Sequence, residues 1–255
     1  MKINIDGLNI NYICEGEGQN VLILHGWGAS IPTMMPIHNH LKDRFKVYTI
    51  DLPGFGESDE PKEVWGSHEY AEAVKKFIDK MGMKDIILMG HSHGGRVSIV
   101  LSSKYPELFK KMVLIDSAGI IPRRKLDYYL KVYSFKALRA TYNALFFWID
   151  KEKRLEKFYK KFGSTDYQAS QGMMRKILVT VVNDNLRPLL KDIKTETLLV
   201  WGRNDEDTPV YMGEIMEQEI KGSGLVVLEN AGHYSYLDQM YQFNKVMDSF
   251  LKEEK

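Results

Sequence analysis

The chain has 255 residues, of which 44% are hydrophobic and 27% are charged. These proportions are typical of a folded globular protein and argue against intrinsically disordered, collagen-like and coiled-coil chains. The formal net charge is only +1, which gives no global electrostatic reason to expect nucleic acid as a partner.

A single cysteine, Cys14, excludes an internal disulfide scaffold. The N-terminal segment is too polar for a secretory signal peptide, and no window approaches the roughly eighteen consecutive apolar residues of a membrane span. We therefore expect a cytoplasmic enzyme or binding protein without a membrane span. These features leave the oligomeric state open.

Eight short segments have the character of β-strands. Residues 2–6 and 9–14 alternate apolar and polar side chains around Asp6-Gly7, a turn pair typical of an antiparallel hairpin. Six later runs are short and nearly continuous in apolar residues, as in strands that are buried on both faces of a parallel sheet. These runs are 21–24, 46–50, 86–89, 112–115, 197–201 and 225–228.

Segments with helical spacing lie between these runs, at 69–80, 93–105, 212–220 and 239–252. Parallel strands need such crossover connections. The alternation predicts an α/β fold, with a mostly parallel eight-stranded sheet flanked by helices.

One long segment, 122–187, interrupts the alternation. It has no evident strand, a net charge of +9 against −8 for the remainder, and 12 of the 29 aromatic residues. We expect an inserted helical cap there, on a core domain formed by 1–121 and 188–255. Either its aromatic side chains pack small helices onto the core beneath a solvated lysine face, or it is an apolar, cationic lid over a pocket. In the second case Phe146 and Trp148 are candidate substrate-binding residues.

The sequence GHSHGG at 90–95 joins the strand run 86–89 to a helical segment. A serine on such a sharp turn projects its hydroxyl above the sheet, and the flanking glycines permit the tight backbone. The nearby helix N-terminus also favours negative charge that develops on a substrate oxygen. The pattern predicts that Ser92 is a nucleophile.

The sequence HGWG at 25–28 follows the strand run 21–24. A hydrolytic serine needs two amide donors for the oxyanion, one from the residue after the nucleophile and one from an earlier strand-to-helix loop. The backbone N–H groups of His93 and Trp27 are the candidates. The indole of Trp27 either shapes a substrate pocket or packs as a wall beneath the cap. His25 is expected to be structural, since the base should come later in the chain.

Two further loops supply an acid and a base. The sequence WGRNDEDTP at 201–209 follows a late strand, and either Asp205 or Asp207 could hold an imidazole in one tautomer and stabilise its protonated form. His233, after the last strand, is the only histidine C-terminal to the nucleophile turn. It completes the chain order serine, aspartate, histidine.

Together with DLPGFGESD at 51–59 and AGH at 231–233, these motifs resemble the α/β-hydrolase superfamily over nearly the whole chain. The resemblance implies the α/β-hydrolase fold, in the branch with a serine nucleophile. It selects Asp205, three residues after Gly202, as the acid, and it makes the insertion the family's cap. Epoxide hydrolases and haloalkane dehalogenases are similar but have an aspartate where Ser92 stands.

We therefore expect a serine hydrolase of a small carboxylic ester, with no cofactor and no metal. Ser92 attacks the carbonyl, His233 acts as general base and then acid, and Asp205 orients His233. A C–C bond hydrolase of a ring-cleavage dienoate product would use the same three residues. A ligand receptor that keeps them but turns over negligibly is the third hypothesis.

Overall fold

The structure is a computed structural model that describes residues 1–123, 126–146 and 165–252. Eight strands form one sheet in the order β1-β2-β4-β3-β5-β6-β7-β8, and only β2 runs antiparallel to the others. This confirms the predicted sheet. In chain order from β1 to β8 the strands are Lys2–Ile5, Leu8–Glu15, Asn20–Leu24, Lys46–Ile50, Ile86–His91, Phe109–Ile115, Glu196–Gly202 and Gly224–Leu228.

The hairpin predicted at Asp6-Gly7 joins β1 to β2. Asp6 has a φ of 49° and Gly7 a φ of 86°, which are the positive values that the tightest hairpin turns require. Ile5 and Leu8 pair directly across this turn.

Helices cover both faces of the sheet. In chain order from α1 to α9 the described helices are Ile31–Leu41, Ser67–Lys80, His93–Lys104, Leu126–Leu145, Thr165–Ala169, Gly172–Val181, Tyr211–Glu219, Ser235–Asp238 and Met240–Phe250. Two 3₁₀ turns, Pro106–Leu108 and Arg187–Asp192, precede β6 and β7. All four predicted helical segments are present, and a separate short helix, α8, precedes the last one.

The core has two layers because successive side chains of a strand point to opposite faces. Leu22 and Leu24 of β3 pack with residues of α2, α3 and α7, whereas Val21 and Ile23 pack with residues of α1 and α9. All four side chains are fully buried. Burial on both faces explains why the central strands are nearly continuous apolar runs in the sequence.

Helix α1 was not predicted from the sequence. It contains Pro36 in its interior, and proline removes a helical hydrogen bond there. Its buried face nevertheless packs against the sheet, and the Asp51 carboxylate accepts the N–H of Ile31, the first residue of the helix, at 2.7 Å. Tertiary packing and this N-terminal contact outweigh the proline penalty.

The described residues of 122–187 form α4, α5 and α6 and contain no strand. Ile177 and Val181 of α6 are buried in the core beside α2 and α3. The division of the chain into a core and a cap stays a prediction. None of the helices in the described ranges has the length and apolar character needed to cross a bilayer.

Candidate active site

Four loops meet at the carboxyl edge of the sheet, where parallel strands place the ends that follow them. These loops carry Trp27 after β3, Ser92 after β5, Asp205 after β7 and His233 after β8. Trp27, Ser92 and His233 line a cavity of about 280 Å³, together with His93. The fold thus brings together residues from four distant parts of the sequence.

Ser92 occupies a strained turn between β5 and α3. Its φ is 49° and its ψ is −108°, a combination that a side chain with a Cβ rarely adopts. The turn is held by its backbone, because the Ser92 N–H donates to the Ile115 carbonyl at 3.0 Å. The Ser92 carbonyl accepts the N–H groups of Arg96 at 3.2 Å and Ala118 at 3.1 Å. These contacts fix the direction of the hydroxyl.

Two glycines allow the close approach of backbone segments around this turn. A Cβ on Gly94 would lie 2.3 Å from the Leu24 carbonyl oxygen, so only glycine lets α3 approach β3 this closely. A Cβ on Gly26 would lie 2.8 Å from Nδ1 of His91 and 3.2 Å from Cβ of Ser92. A side chain at either position would displace the nucleophile turn.

A chain of hydrogen bonds connects the serine to a carboxylate. The Ser92 Oγ lies 2.9 Å from His233 Nε2, and His233 Nδ1 lies 2.9 Å from Asp205 Oδ2. Asp207 has an exposed side chain, and only its backbone N–H reaches Asp205, at 2.9 Å. The structure therefore places Asp205, and not Asp207, against the imidazole.

The environment of Asp205 keeps this carboxylate ionised. Its side chain also accepts the Thr208 N–H at 2.9 Å and the Thr208 hydroxyl at 2.7 Å. Burial opposes ionisation, but the hydrogen bond and charge of His233, helped by Thr208, outweigh it and lower the pKa of Asp205. An anionic Asp205 holds the proton on Nδ1 of His233, which leaves Nε2 to accept the Ser92 proton.

Burial and the neighbouring carboxylate also determine the pKa of His233. Burial alone would lower the pKa of the imidazole, but the hydrogen bond and charge of Asp205 outweigh it and raise the pKa above its ordinary value of 6.5. Asp116 and Asp207 add smaller contributions in the same direction. This imidazole is thus a stronger base than a free histidine.

Asp116, which the sequence analysis missed, connects the loops that carry these two residues. Its carboxylate accepts the Gly202 N–H at 2.8 Å and the Ser235 N–H at 3.0 Å. The side chain is fully buried, and burial raises its pKa to about 7 despite these hydrogen bonds. In the sequence, Asp116 is indicated only by its position directly after the predicted strand 112–115.

Two other buried histidines have structural contacts. His25 accepts the Leu52 N–H on Nε2 at 2.9 Å and donates from Nδ1 to the Gly26 carbonyl at 2.7 Å. His91 donates from Nε2 to the His233 carbonyl at 2.8 Å, and burial lowers the pKa of His91 to about 3. Neutral His91 therefore supports the backbone of His233.

Trp27 and His93, whose backbone N–H groups are the predicted oxyanion donors, line the same cavity as Ser92. In the described part of the chain, neither the Trp27 N–H nor the His93 N–H has a hydrogen-bond acceptor. His93 is the first residue of α3, where helical N–H groups have no partner within the helix. The role of these two N–H groups as oxyanion donors stays a prediction.

A family model described as the alpha/beta hydrolase fold matches residues 19–239. The chain belongs to this α/β-hydrolase family. This confirms the predicted family and fold, and the protein is a hydrolase of the α/β class.

Its relatives include hydrolases of different bonds. It is 26% identical to the 2-hydroxy-6-oxo-6-phenylhexa-2,4-dienoate hydrolase of Comamonas testosteroni, over 96% of this chain and 91% of that protein. It is 24% identical to the pimeloyl-(acyl-carrier protein) methyl ester esterase of Aliivibrio fischeri (strain MJ11), over 94% of this chain and 96% of that protein. Among solved structures, a bacterial membrane phospholipase A matches with a TM-score of 0.79 and 26% identity, over 98% of this chain and 84% of that one.

The aromatic residues predicted to bind substrate in this α/β hydrolase are Trp27, Phe146 and Trp148. The Trp27 indole lines the cavity and also donates to the Ser170 hydroxyl of the inserted segment at 3.3 Å. The Phe146 ring packs on Tyr142, with centroids 4.7 Å apart, and is not among the described residues that line the cavity. Trp148 lies outside the described residues. The substrate-binding roles of all three stay predictions.

One group of side chains in the described ranges has the spacing of metal ligands. Potential ligand atoms of Asp205, Asp207 and His233 lie within 4.8 Å of one another. His233 Nδ1 and Asp205 Oδ2 already form a hydrogen bond, which accounts for their proximity.

Proposed function

We propose that this α/β hydrolase is a serine hydrolase that cleaves small carboxylic esters. The observation that carries the proposal is the chain of hydrogen bonds from Ser92 through His233 to Asp205, with 2.9 Å at each step. A nucleophile, a base and a carboxylate that orients the base are the parts of a catalytic triad. The likeness to esterases supports the same chemistry.

The proposed reaction has two halves. Ser92 Oγ attacks the ester carbonyl carbon while its proton passes to His233 Nε2, and the tetrahedral intermediate collapses when His233 returns that proton to the departing alcohol. Water then attacks the acyl-enzyme and gives a proton to His233, which returns it to Ser92 as the acid is released. Every proton is accounted for by the protein and water, so this scheme uses no cofactor and no metal.

The tetrahedral intermediates carry negative charge on the former carbonyl oxygen. We assign the backbone N–H groups of Trp27 and His93 to this oxygen, because both face the cavity and lack acceptors in the described part of the chain. One such donor typically contributes a factor of about 10² to 10³ to kcat.

The segment 122–187 is the proposed cap. Leu178 and Val181 of this segment line the cavity beside Ser92, so the cap would form part of the wall that meets the substrate. Cleavage would then occur in the core, and the cap would influence substrate choice. A cytoplasmic location stays a prediction from the sequence.

A C–C bond hydrolase is the second candidate, and the likeness to the Comamonas dienoate hydrolase favours it. The same serine and histidine would serve that reaction. A panel that contains short esters and a dienoate cleavage product separates the two activities, and absence of turnover on the whole panel would favour a ligand receptor.

The test of the proposed function compares Ser92→Ala, His233→Ala and the double variant with the wild type on a chromogenic short-chain ester. Each single variant should lose on the order of 10³-fold or more in kcat, and the double variant should be scarcely worse, because the residues act as one unit. A Ser92→Ala protein with more than about a tenth of the wild-type kcat would exclude Ser92 as the nucleophile.

A further inference from the structure

Arg96 is an enclosed cation beside the proposed nucleophile. It lies one helical turn after Ser92, since its N–H donates to the Ser92 carbonyl, and it lines the same cavity. Only 6% of the residue is exposed. Burial lowers the pKa of the guanidinium to about 10, so the group is still charged at neutral pH.

The guanidinium of Arg96 has few partners. One terminal nitrogen, Nη1, donates to the Asp184 backbone carbonyl at 3.0 Å, and no ion pair connects Arg96 to any residue in the described ranges. The Asp184 carboxylate accepts the N–H of Ser67 at 2.8 Å, and its charge raises the pKa of the Arg96 guanidinium without a direct ion pair. Two of the three guanidinium nitrogens, Nε and Nη2, therefore lack an acceptor in the described part of the chain.

These two nitrogens are not sealed within the protein. Enclosed side-chain nitrogens without a hydrogen-bond partner occur in His38, His91 and His93, and those of Arg96 are not among them. The solvent space that Arg96 lines is the cavity with Ser92. A guanidinium presents N–H groups in a fixed fork that matches a carboxylate, and an enclosed charge with free donors and no direct ion pair is costly. An anionic ligand group would satisfy both conditions.

The cavity also has an acidic side, formed by Asp166 and Asp207, whose charges act on groups other than Arg96. Both carboxylates line the cavity. Both raise the pKa of Tyr234 and interact with the charge of His233, whereas neither contributes to the pKa of Arg96. Apolar side chains of Ile120, Leu178, Val181 and Met212 complete the wall. A ligand with one anionic end would be repelled from the acidic side and attracted to Arg96.

We propose that Arg96 binds a carboxylate, carried on a short apolar spacer, of the ester that this enzyme hydrolyses. The proposal rests on the ester hydrolysis proposed above and names the substrate class. Ser92 and Arg96 are one helical turn apart and line the same cavity of about 280 Å³, so we expect a spacer of only a few bonds between the scissile carbonyl and the carboxylate.

Two matched pairs of esters test the proposal. The para-nitrophenyl monoester of adipic acid and para-nitrophenyl hexanoate differ in a carboxylate on the acid portion, whereas para-carboxyphenyl acetate and phenyl acetate differ in a carboxylate on the alcohol portion. The quantity measured is the ratio of kcat/KM for the anionic ester to that for the neutral ester. It is compared in wild type, Arg96→Met, Arg96→Lys and Arg187→Met.

In Arg96→Met the ratio should fall about 10- to 100-fold for one pair, the size expected for a lost charged hydrogen bond, and Arg96→Lys should restore part of it. The affected pair tells whether the acid or the alcohol portion carries the carboxylate. Arg187 forms an exposed ion pair with Glu219 and does not line the cavity. Arg187→Met removes the same charge as Arg96→Met, but its ratio of kcat/KM values should equal that of the wild type. Equal ratios in wild type and Arg96→Met for both pairs would overturn the proposal.

A binding measurement separates this proposal from the proposed function. In the Ser92→Ala background, the monoamide of adipic acid or para-hydroxybenzoate should bind at least tenfold more tightly than hexanamide or phenol, and Arg96→Met should remove that difference. Loss of hydrolysis in Ser92→Ala with no such difference in binding would overturn the role of Arg96 alone. If Arg96→Met does not fold, inhibition of wild-type phenyl acetate hydrolysis decides instead, and equal inhibition by each acid and its neutral partner overturns the proposal.

Discussion

Asp205 and Asp207 are carboxylates on one loop, yet only Asp205 bonds to the imidazole of His233. The difference comes from the contacts that each side chain makes. The Asp207 N–H and the Thr208 hydroxyl both donate to the Asp205 carboxylate, which is nearly fully buried, whereas the Asp207 side chain is exposed. A buried and hydrogen-bonded anion can hold one imidazole tautomer, and a solvated one cannot do so as firmly.

We predict that Asp205→Asn lowers kcat by on the order of 10³-fold or more, because the amide no longer fixes the tautomer of His233. Asp207→Asn, the matched control on the same loop, should lose less than about tenfold. Ester kinetics on both variants measure the difference. A larger loss in Asp207→Asn would transfer the role to that residue.

The pH profile of the same variants gives an independent check. The imidazole must be neutral to accept the Ser92 proton, so kcat/KM for a neutral ester should fall as the pH drops through a midpoint above 6.5, the side to which Asp205 moves the pKa of His233. In Asp205→Asn the midpoint of the residual activity should lie at lower pH. Asp207→Asn should shift it less, and an unchanged midpoint in Asp205→Asn would contradict the electrostatic account.

Some residues of the candidate site could be predicted from the sequence and others could not. Ser92 stands in a local strand-turn-helix pattern, which short-range rules recognise. Asp116 and Arg96 depend on contacts between distant segments: Asp116 reaches Gly202 and Ser235, which are 86 and 119 positions away, and Arg96 reaches a carbonyl 88 positions away. Arg96 has no local pattern that predicts its partner, and the position of Asp116 directly after a predicted strand does not tell which N–H groups it binds.

At the scale of the elements, two loops depend on one carboxylate at the end of β6. Asp116 bonds to Gly202 at the end of β7 and to Ser235 at the start of α8. Those two segments flank Asp205 and His233 in the chain. The distance between the acid and the base is thus set in part by a residue that is in neither loop.

We predict that Asp116→Ala lowers the free energy of unfolding by about 2 to 4 kcal/mol, since two buried N–H groups lose their acceptor. Asp116→Asn keeps one carbonyl oxygen and should lose less, and Asp207→Ala, which removes an exposed carboxylate, should lose less than about 0.5 kcal/mol. Urea denaturation measures all three. Equal stability of Asp116→Ala and the wild type would show that these hydrogen bonds do not hold the loops.

The strands were predictable because both of their faces are buried, which leaves short apolar runs in the sequence. β4 has its predicted bounds and β1 ends one residue earlier than predicted, whereas the other strands extend by one to three residues, as in β6, predicted at 112–115 and observed at Phe109–Ile115. Helix α1 escaped prediction because Pro36 lies inside it, while the burial that stabilises it comes from the sheet. Local propensity and tertiary packing disagree there, and packing prevails.

Over the whole molecule, the strand order determines which loops can meet. β3 lies between β4 and β5, and β6, β7 and β8 follow in sequence, so the loops after β3, β5, β7 and β8 share one edge. The chain order of the motifs and the family resemblance together indicated the α/β-hydrolase fold and the residues Ser92, Asp205 and His233. The charge of +9 on 122–187 was also readable from the sequence, but the position of Arg96 in the cavity required the fold.

The most direct measurement of the central claim is covalent labelling with a fluorophosphonate, followed by intact mass and peptide mapping. Such a probe reports a serine activated by an adjacent base. The account predicts one adduct per chain, on the peptide with Ser92, no adduct in Ser92→Ala, and much slower labelling in His233→Ala. Rapid ester hydrolysis by a protein that is labelled at another residue, or is not labelled at all, would contradict it.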